Sequence, residues 1–468
     1  MYTYGQLWQA ASALAAQLRA RGIGRNDRVC LLLEKSFDLY AAIWGVWLAG
    51  AAYVPLAPSY PGARLKLIVE RAQPRLVWFA AKESWDRIGA TSDVPAEPIA
   101  YTDAALPAIE DGDASDLAYV LFTSGSTGTP KGVMVTRGNV AAFVAWAQQF
   151  FTVTPDDRLS GHSDLTFDLS VFDTFVAHCS GSCLVPVIDA MDRTSPGTFI
   201  RGQRITIWFS VPSVLSAMTM LGDVTAGKLD GLRWMAFCGE PLLPGPARQL
   251  MRAAPEVRVA NLYGPTEATV ACAAYELTEP PDEDDDAVPF GWKTGGTEVF
   301  VWTDGARVAE PGERGEVYIV GDQVGPGYFG DTEETARRFV ADPRGTALKC
   351  FRTGDIATVR TEGPVFHRRL DDQVKFRGWR IELGDVERAL AAVDGTLECA
   401  AALVRRAGKP DALAAFVRTS TPTTAPAILK QLRQYLPEYM IPTHVRIVKD
   451  FPRTLNQKID RARLAELL

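Results

Sequence analysis

Short runs of unbroken apolar residues alternate with helix-length segments along most of this chain, and that alternation narrows the folds open to it. The runs are "RVCLLLE" (28–34), "AAYVPL" (51–56), "RLVWFA" (75–80) and "LAYVLFT" (117–123). "RITIWFSV" (204–211), "LRWMAFCG" (232–239) and "RVANLYG" (258–264) repeat the pattern farther on. A strand without polar alternation buries both faces, so helices must cover its sheet on each side. The chain is therefore expected to be an α/β protein with layers of helices on parallel sheets. "TYGQLWQAASALAAQLRARG" (3–22) has apolar residues at helical spacing, with Gly22 as its stop. Ser36 is placed to N-cap a second helix that Gly50 ends, and Pro55 to help end the strand that follows.

With 468 residues the chain has room for about two to three domains. From Phe351 on, hairpin-like segments "GPVFHRR" and "QVKFRGWRIEL" lead into helix, strand, strand and helix. That pattern predicts a small C-terminal α+β domain of about a hundred residues. A net charge of −7 argues against general nucleic-acid or anionic-membrane binding. Leu39–Ala57 carries no charge over about the length of a bilayer span, but Gly45, Gly50 and Pro55 interrupt it. The seven cysteines form no C-x-x-C pair and the histidines number four, so neither a zinc site nor a disulfide framework is expected. Reduced, mostly buried thiols are expected instead. "MYTYGQLWQ" lacks the basic start and apolar run of a signal peptide, and a cytoplasmic location is expected. "PPDEDDDAVP" (280–289) reads as a solvated charged loop and "RTSTPTTAPA" (418–427) as a Thr/Pro loop.

"TSGSTGTPKG" (123–132) concentrates three glycines, five hydroxyl residues and a lysine. It is not a Walker loop: Lys131 follows Pro130, Gly132 stands where a metal-binding hydroxyl would be, and "VMVT" behind it reads as strand. The helix is expected only near Asn139. A strand–loop–strand of this composition can still hold phosphate through glycine-exposed N–H groups, hydroxyls and Lys131.

With that loop, the chain resembles the adenylate-forming superfamily of acyl-CoA synthetases, luciferases and amino-acid adenylation domains. Its other motifs occur in the family's order: "GAAYVPLAP" (50–58), "FDLS" (167–170), "NLYGPTE" (261–267), "GEVYIVGDQVGPGYFGD" (315–331), "FRTGD" (351–355), "RRLDDQVKFRGWRIEL" (368–383) and "PRTLNQKID" (452–460). The resemblance implies a large N-terminal domain of layered α/β subdomains (1–369) and a small C-terminal α+β domain (370–468) that rotates about a hinge at Asp371. It implies ATP and Mg2+ as cofactors. Thr123, Ser124, Gly125, Ser126, Thr127, Gly128 and Lys131 would hold phosphate, with Gly239 and Gly264 close to the nucleotide. Tyr263 would stack on adenine, Asn261 would hydrogen-bond its amino group, and Asp355 would take both ribose hydroxyls with Arg369 in support. Thr266 and Glu267 would contact the α-phosphate, with Glu267 as the magnesium ligand. Lys458 would be the mobile catalytic lysine, and Gly378 would line the thiol tunnel. The sequence departs from the family pattern at Gln457, Arg368 and Phe351, where glycine, glycine and tyrosine are usual, and it starts at the first motif.

The same resemblance assigns Asp168 to the α-ammonium of an amino-acid substrate, beside Phe167. Phe172, Phe209, Ala236, Cys238, Leu262, Val270 and Ala271 align with the family's side-chain pocket. None carries a charge, so a charged side chain would be left unpaired and a small neutral amino acid is expected. "FDLSVFD", "FCGE" and "YGPTEATVA" resemble D-alanine–carrier-protein ligases, and "ITIWFSVPSVL" resembles proline-activating enzymes. The order of expectation is alanine of either hand, then proline, serine or glycine. The chain ends about eight residues past its last motif, too few for a carrier domain. The expected partner is a separate phosphopantetheinylated carrier protein, in biosynthesis of the nonribosomal-peptide kind, with a small activator protein as a further possible partner. Two other readings stay open: an acyl-CoA synthetase for a small carboxylic acid, and a non-catalytic nucleotide-binding homologue.

Overall fold

The computed structural model describes residues 1–89, 94–101, 112–124, 129–282, 285–406, 409–453, 459 and 461–465. Gly125, Ser126, Thr127, Gly128, Gln457 and Lys458 lie outside the described residues. The first sheet contains β1 (Arg28–Leu32), β2 (Ala52–Leu56), β3 (Leu76–Phe79), β4 (Ala96–Pro98), β5 (Leu117–Thr123) and β6 (Lys131–Thr136). Its order is β6-β5-β2-β1-β3-β4, with Gly327–Tyr328 on the β6 edge. The strands from β5 to β4 run parallel, while β6 and the edge strand turn antiparallel. Every residue of β2 is buried, as unbroken apolar composition requires.

Pro55 lies inside β2 rather than past its end. It lies opposite Leu31 of β1, two residues past the β2–β5 pairing of Tyr53 with Tyr119. Other local signals act as expected. The first helix, Tyr4–Ala20, opens on a capping box between Thr3 and Gln6, and Gly22 past its end has φ +70°. Ser36 accepts from the Leu39 N–H and caps the helix Phe37–Leu48. Gly50 follows it at φ +92°. No helix among the described residues is long and apolar enough to cross a membrane. All seven cysteines are free thiols, and Cys30, Cys238, Cys272 and Cys350 are buried.

The second sheet contains β7 (Arg158–Gly161), β8 (Cys183–Pro186), β9 (Ile207–Ser210), β10 (Trp234–Phe237), β11 (Arg258–Tyr263) and β12 (Ala273–Leu277). Its order is β12-β11-β10-β9-β7-β8, parallel except for β12. One continuous core joins the two sheets through Phe143, Phe151, Phe172, Phe175 and Phe209. The third sheet departs from the expected parallel plan. It consists of β13 (Lys293–Thr294), β14 (Thr297–Trp302), β15 (Arg314–Gly321), β17 (Phe339–Ala341), β18 (Lys349–Thr358) and β19 (Val365–Arg369), with the edge strand Gly327–Tyr328 of the first sheet being β16. All its pairings are antiparallel. A two-residue turn joins β13 to β14 and a six-residue loop joins β18 to β19, lengths that suit antiparallel neighbours, while the helix Thr332–Arg338 lies between β16 and β17. "GPVFHRR" therefore belongs to this sheet and not to the C-terminal unit.

That unit begins with the hairpin of β20 (Gln373–Phe376) and β21 (Trp379–Glu382). It continues through the helix Leu383–Ala391 to a three-stranded sheet of β22 (Thr396–Arg406), β23 (Lys409–Thr419) and β24 (His444–Ile447). Phe376 and Ile381 of the hairpin share a core with Val386, Leu390, Leu413, Ile428 and Leu432. The hairpin is thus anchored in the small domain while its turn reaches into the large one.

Candidate active site

The β5–β6 hairpin presents the hydroxyl- and glycine-rich loop, so the strand–loop–strand reading holds, with Thr123 opposite Lys131. The following helix starts at Arg137, two residues before Asn139, because Thr136 is its cap and Asn139 closes the capping box. Lys131 is nearly buried and forms an ion pair with Glu334 at 2.7 Å. The Ser124 hydroxyl donates to the Arg380 carbonyl at 2.7 Å and accepts the Glu382 N–H at 3.2 Å. The first residue of the loop is therefore fastened to the small domain.

The ends of β10 and β11 frame a slot lined by Gly239, Glu240, Asn261, Tyr263, Phe290 and Lys375. Asn261 Nδ2 donates to the Val288 and Pro289 carbonyls, both at 3.0 Å, but its buried Oδ1 has no partner. A buried acceptor left open is costly. An adenine amino group can satisfy it, so this residue fits its expected role. Tyr263 stacks on Phe290 with ring centroids 4.2 Å apart, leaving its other face to the slot, where Lys375 Nζ lies 5.6 Å from the ring centroid. The Tyr263 hydroxyl donates to Asp355 Oδ2 at 2.6 Å, and Arg369 Nη1 donates to Asp355 Oδ1 at 2.6 Å. Each carboxylate oxygen keeps further acceptor capacity, which a vicinal diol can use. Gly264 has no room for a side chain, since a Cβ would lie 2.6 Å from the Val270 carbonyl oxygen.

Arg369 continues into a charge cluster. Its Nε and Nη2 hold Asp371 bidentately at 2.7 and 2.9 Å, and Arg338 adds a bond at 3.0 Å. Burial raises the Asp371 carboxyl, but the two guanidinium groups outweigh it and hold the group well below the usual carboxylate range. Glu267 is wholly buried and accepts from the Tyr328 hydroxyl at 2.6 Å and from Arg380 Nη1 at 2.9 and 2.8 Å. Burial raises its carboxyl too, yet Arg380 and Tyr328 bring it below its ordinary value. No cluster of three potential metal ligands occurs among the described residues. Magnesium commonly binds one or two carboxylates together with substrate phosphates, and Glu267, whose oxygens keep acceptor capacity beside Arg380 and Tyr328, fits that role by its chemistry.

Asp168 caps the opposite end of the site. It is fully buried, and burial pushes its carboxyl up to about 6; a hydrogen bond from Thr266 partly offsets this and nearby Glu267 adds to it. No described lysine or arginine forms an ion pair with it. Phe172, Phe209, Ala236, Cys238, Leu262, Val270 and Ala271 all lie in the same buried core. The Phe172 and Phe209 rings sit 4.6 Å apart and narrow the space, and Cys238 Sγ contacts the Val270 carbonyl at 3.6 Å. Phe167 leaves this group and meets Trp379 of the β20–β21 hairpin at 5.4 Å. Gly239, at φ +98°, lies where a Cβ would come 3.5 Å from the Phe167 ring.

Gly378, at φ +82°, turns the hairpin into the site. Its N–H donates to Glu240 Oε1 at 2.6 Å, and a Cβ there would lie 2.3 Å from Val211 Cγ1. Trp379 stacks on Tyr439 at 4.0 Å, and Tyr439 in turn meets Tyr60 of the large domain at 6.1 Å. Arg380, Lys375, Glu240, Glu334 and Tyr328 all face the site without having been singled out in the sequence. Two of them, Lys375 and Arg380, stand in the "KFRGWR" motif beside Gly378, and that proximity was the available signal.

The slot and the buried carboxylate Glu267 both meet residues of the docked small domain, Lys375 and Arg380. The chain belongs to the AMP-binding enzyme family: residues 1–329 match AMP-binding enzymes and 385–458 their C-terminal domain. It is 37% identical over 99% of its length to the AMB antimetabolite synthetase AmbB of Pseudomonas aeruginosa, of which it covers 36%. It is 36% identical over 96% of its length to an L-proline–[L-prolyl-carrier protein] ligase of Pseudomonas fluorescens, of which it covers 91%. The chain thus spans little more than a third of the first of these relatives and nearly all of the second. Among solved structures, the Vibrio cholerae adenylation domain AlmE, in complex with glycyl-adenosine-5'-phosphate, superposes with a TM-score of 0.87. That match has 27% identity and covers 100% of this chain and 92% of AlmE.

Proposed function

We propose that the protein activates a small neutral amino acid with ATP to the aminoacyl adenylate and transfers it to the phosphopantetheine thiol of a separate carrier protein. The observation that carries the reading is Asp168, a buried carboxylate whose pKa stays raised although Lys375 and Arg380 stand near enough to lower it, and which forms no direct ion pair among the described residues. A substrate α-ammonium supplies the missing partner. The close Phe172–Phe209 pair and the uncharged side chains of the seven aligned residues favour a small side chain, alanine first, then proline, serine or glycine. The proline specificity named for the Pseudomonas fluorescens relative and the glycyl adenylate named for AlmE are of the same size class.

In this reading the amino-acid carboxylate attacks the α-phosphorus of ATP and pyrophosphate leaves. The carrier thiol then attacks the acyl carbonyl, forming a thioester and releasing AMP. Asn261 and Tyr263 hold adenine, Asp355 with Arg369 holds ribose, and Thr266 with the loop residues Thr123 to Lys131 holds phosphate. Glu267 would hold magnesium, which neutralises phosphate charge when bound. Lys458 would stabilise charge in adenylation. We place the domain boundary at 369/370, with Asp371 as the hinge, because β19 closes the third sheet and Asp371 is gripped by Arg369 and Arg338 just before β20. The docked hairpin, with Gly378 against Glu240, suits the transfer half-reaction.

The test is ATP–pyrophosphate exchange across D- and L-alanine, proline, serine, glycine and small acids without an amine. Strong exchange with one small neutral amino acid is expected. Exchange only with amine-free acids would overturn the reading and favour an acyl-CoA synthetase.

A further inference from the structure

The wall of the acid pocket contains backbone that its residues do not adopt unaided. Thr269 has φ +53° and Val270 has φ +69°. Left-handed backbone is a rare state for a β-branched residue. The Ala271 N–H donates to the Thr269 carbonyl at 2.8 Å, so Val270 is the centre of a three-residue turn of the uncommon, strained hand. Such strain persists only where the surroundings over-determine it.

Cys238 and Gly264 pack against the Val270 carbonyl, and one side chain bonds to both of the carbonyls on either side of it. Gln323 is 1% exposed and stands on the loop between β15 and β16. Its Nε2 donates to the Ala271 carbonyl at 2.6 Å and to the Thr269 carbonyl at 3.3 Å, the two carbonyls that flank Val270. Both partners are pure acceptors, so the amide must point its nitrogen at them. The Thr294 hydroxyl donates to Oε1 at 2.5 Å and fixes that orientation. The Gln323 backbone is used as well: its carbonyl accepts from Thr269 Oγ1 at 2.8 Å and its N–H donates to Thr297 Oγ1 at 3.0 Å. Asn139 secures the loop by donating to the Asp322 carbonyl at 2.7 Å. Gly325 lets the loop come close, donating to the Glu267 carbonyl at 2.9 Å.

We propose that Gln323 is a positioning residue for substrate size: its amide clamps the Thr269–Ala271 turn and so holds Val270 and Ala271 as the rigid wall that keeps the acid pocket shallow. The inference rests on the reading of Val270 and Ala271 as pocket wall. Gln323 itself touches no substrate. Without the clamp the turn relaxes toward ordinary backbone, Val270 shifts, and the pocket loses its definition while the nucleotide slot, built on Asn261, Tyr263 and Asp355, is left as it was.

The test compares wild type with Gln323→Leu, which keeps the volume and removes both donors, and with Thr294→Val, which frees the amide and removes a long 3.5 Å bond to the Ala271 carbonyl. KM for the preferred acid and for ATP is measured by pyrophosphate exchange, together with a series of acids of rising size. For Gln323→Leu the acid KM is expected to rise about tenfold with the ATP KM within about twofold. Larger neutral acids are expected to gain about tenfold relative to the preferred one, and Thr294→Val should move both quantities the same way by less. Acid and ATP KM rising together, or an unchanged size profile in folded protein, would overturn the proposal. If Gln323→Leu does not fold, Gln323→Asn, one methylene short, carries the same comparison. Should the enzyme activate only acids without an amine, the functional reading fails, but the size series on those acids still decides this inference. A crystal structure of the variant decides it without turnover: residue 270 is expected to leave positive φ, and a pocket wall identical to wild type would refute the clamp.

Discussion

Asp168→Asn separates what the buried carboxylate does for binding from what it costs the fold. The rise of its pKa from 3.8 to about 6 corresponds to about 3 kcal/mol. The sign follows from linkage. The unfolded chain releases this proton near pH 4 and the folded protein only near pH 6, so the unfolded state binds fewer protons in between and stability falls as pH rises. Above about pH 6 the full penalty is present, and below about pH 4 it is absent. Asparagine keeps the shape and an acceptor for Thr266 but never ionises. The substrate-free variant should therefore melt a few degrees above wild type at pH 7. That advantage should vanish by pH 4. Catalysis should move the other way: a buried ammonium without its counter-charge costs about 3–5 kcal/mol. The loss of kcat/KM for the amino acid should then be at least about a hundredfold, with the ATP KM unchanged. The wild-type KM for the amino acid should also climb below about pH 6 as Asp168 takes up its proton. Melting curves at both pH values and pyrophosphate exchange read all of this. A variant no more stable than wild type at pH 7 would refute the burial argument, and one that uses the amino acid equally well would refute the pairing.

Three other perturbations address separate parts of the site. Arg380→Met removes both charge-assisted bonds to Glu267 from the docked hairpin; thiol transfer should fall about a hundredfold while exchange holds, and an equal fall in both would show that Arg380 serves the whole fold. Gly378→Ala places a Cβ 2.3 Å from Val211 and strains φ +82°, so transfer should drop at least about tenfold with exchange near wild type. Normal transfer in that variant would remove Gly378 from the thiol path. Asn261→Leu deletes the open acceptor facing the slot; the ATP KM should rise about tenfold, and an unaltered value would mean that adenine is bound elsewhere.

The features that sequence foretold are those set by neighbours in the chain. Ser36 caps, Gly22 and Gly50 stop helices, and the apolar runs become buried strands, because each depends on a few consecutive residues. Asp168, Asn261 and Tyr263 were legible through the order of motifs; Asn261 and Tyr263 line one slot, and Asp168 is buried close to Thr266 and Glu267. Lys131 was expected on phosphate and is found on Glu334, a partner 203 residues away in sequence. Arg380 meets Glu267 across 113 residues and Gln323 meets Thr269 across 54. No periodicity marks such pairs, since a single long-range contact imposes no pattern on its own segment. The third sheet escaped for a related reason: its strands mix buried with half-buried and exposed positions and so do not stand out as unbroken apolar runs.

The aromatic contacts between the domains have a thermal consequence. Trp379 against Phe167, and Tyr439 against Tyr60, are aromatic contacts between the seated small domain and the large one. Association of this kind draws on the entropy of water and weakens as water cools. Seating of the small domain should accordingly carry a heat-capacity signature, and the seated fraction should shrink in the cold. Chemistry that needs the seated hairpin then slows for two reasons on cooling, and chemistry that does not need it slows for one. In the proposed two-step cycle, cooling is therefore expected to slow transfer more than adenylation.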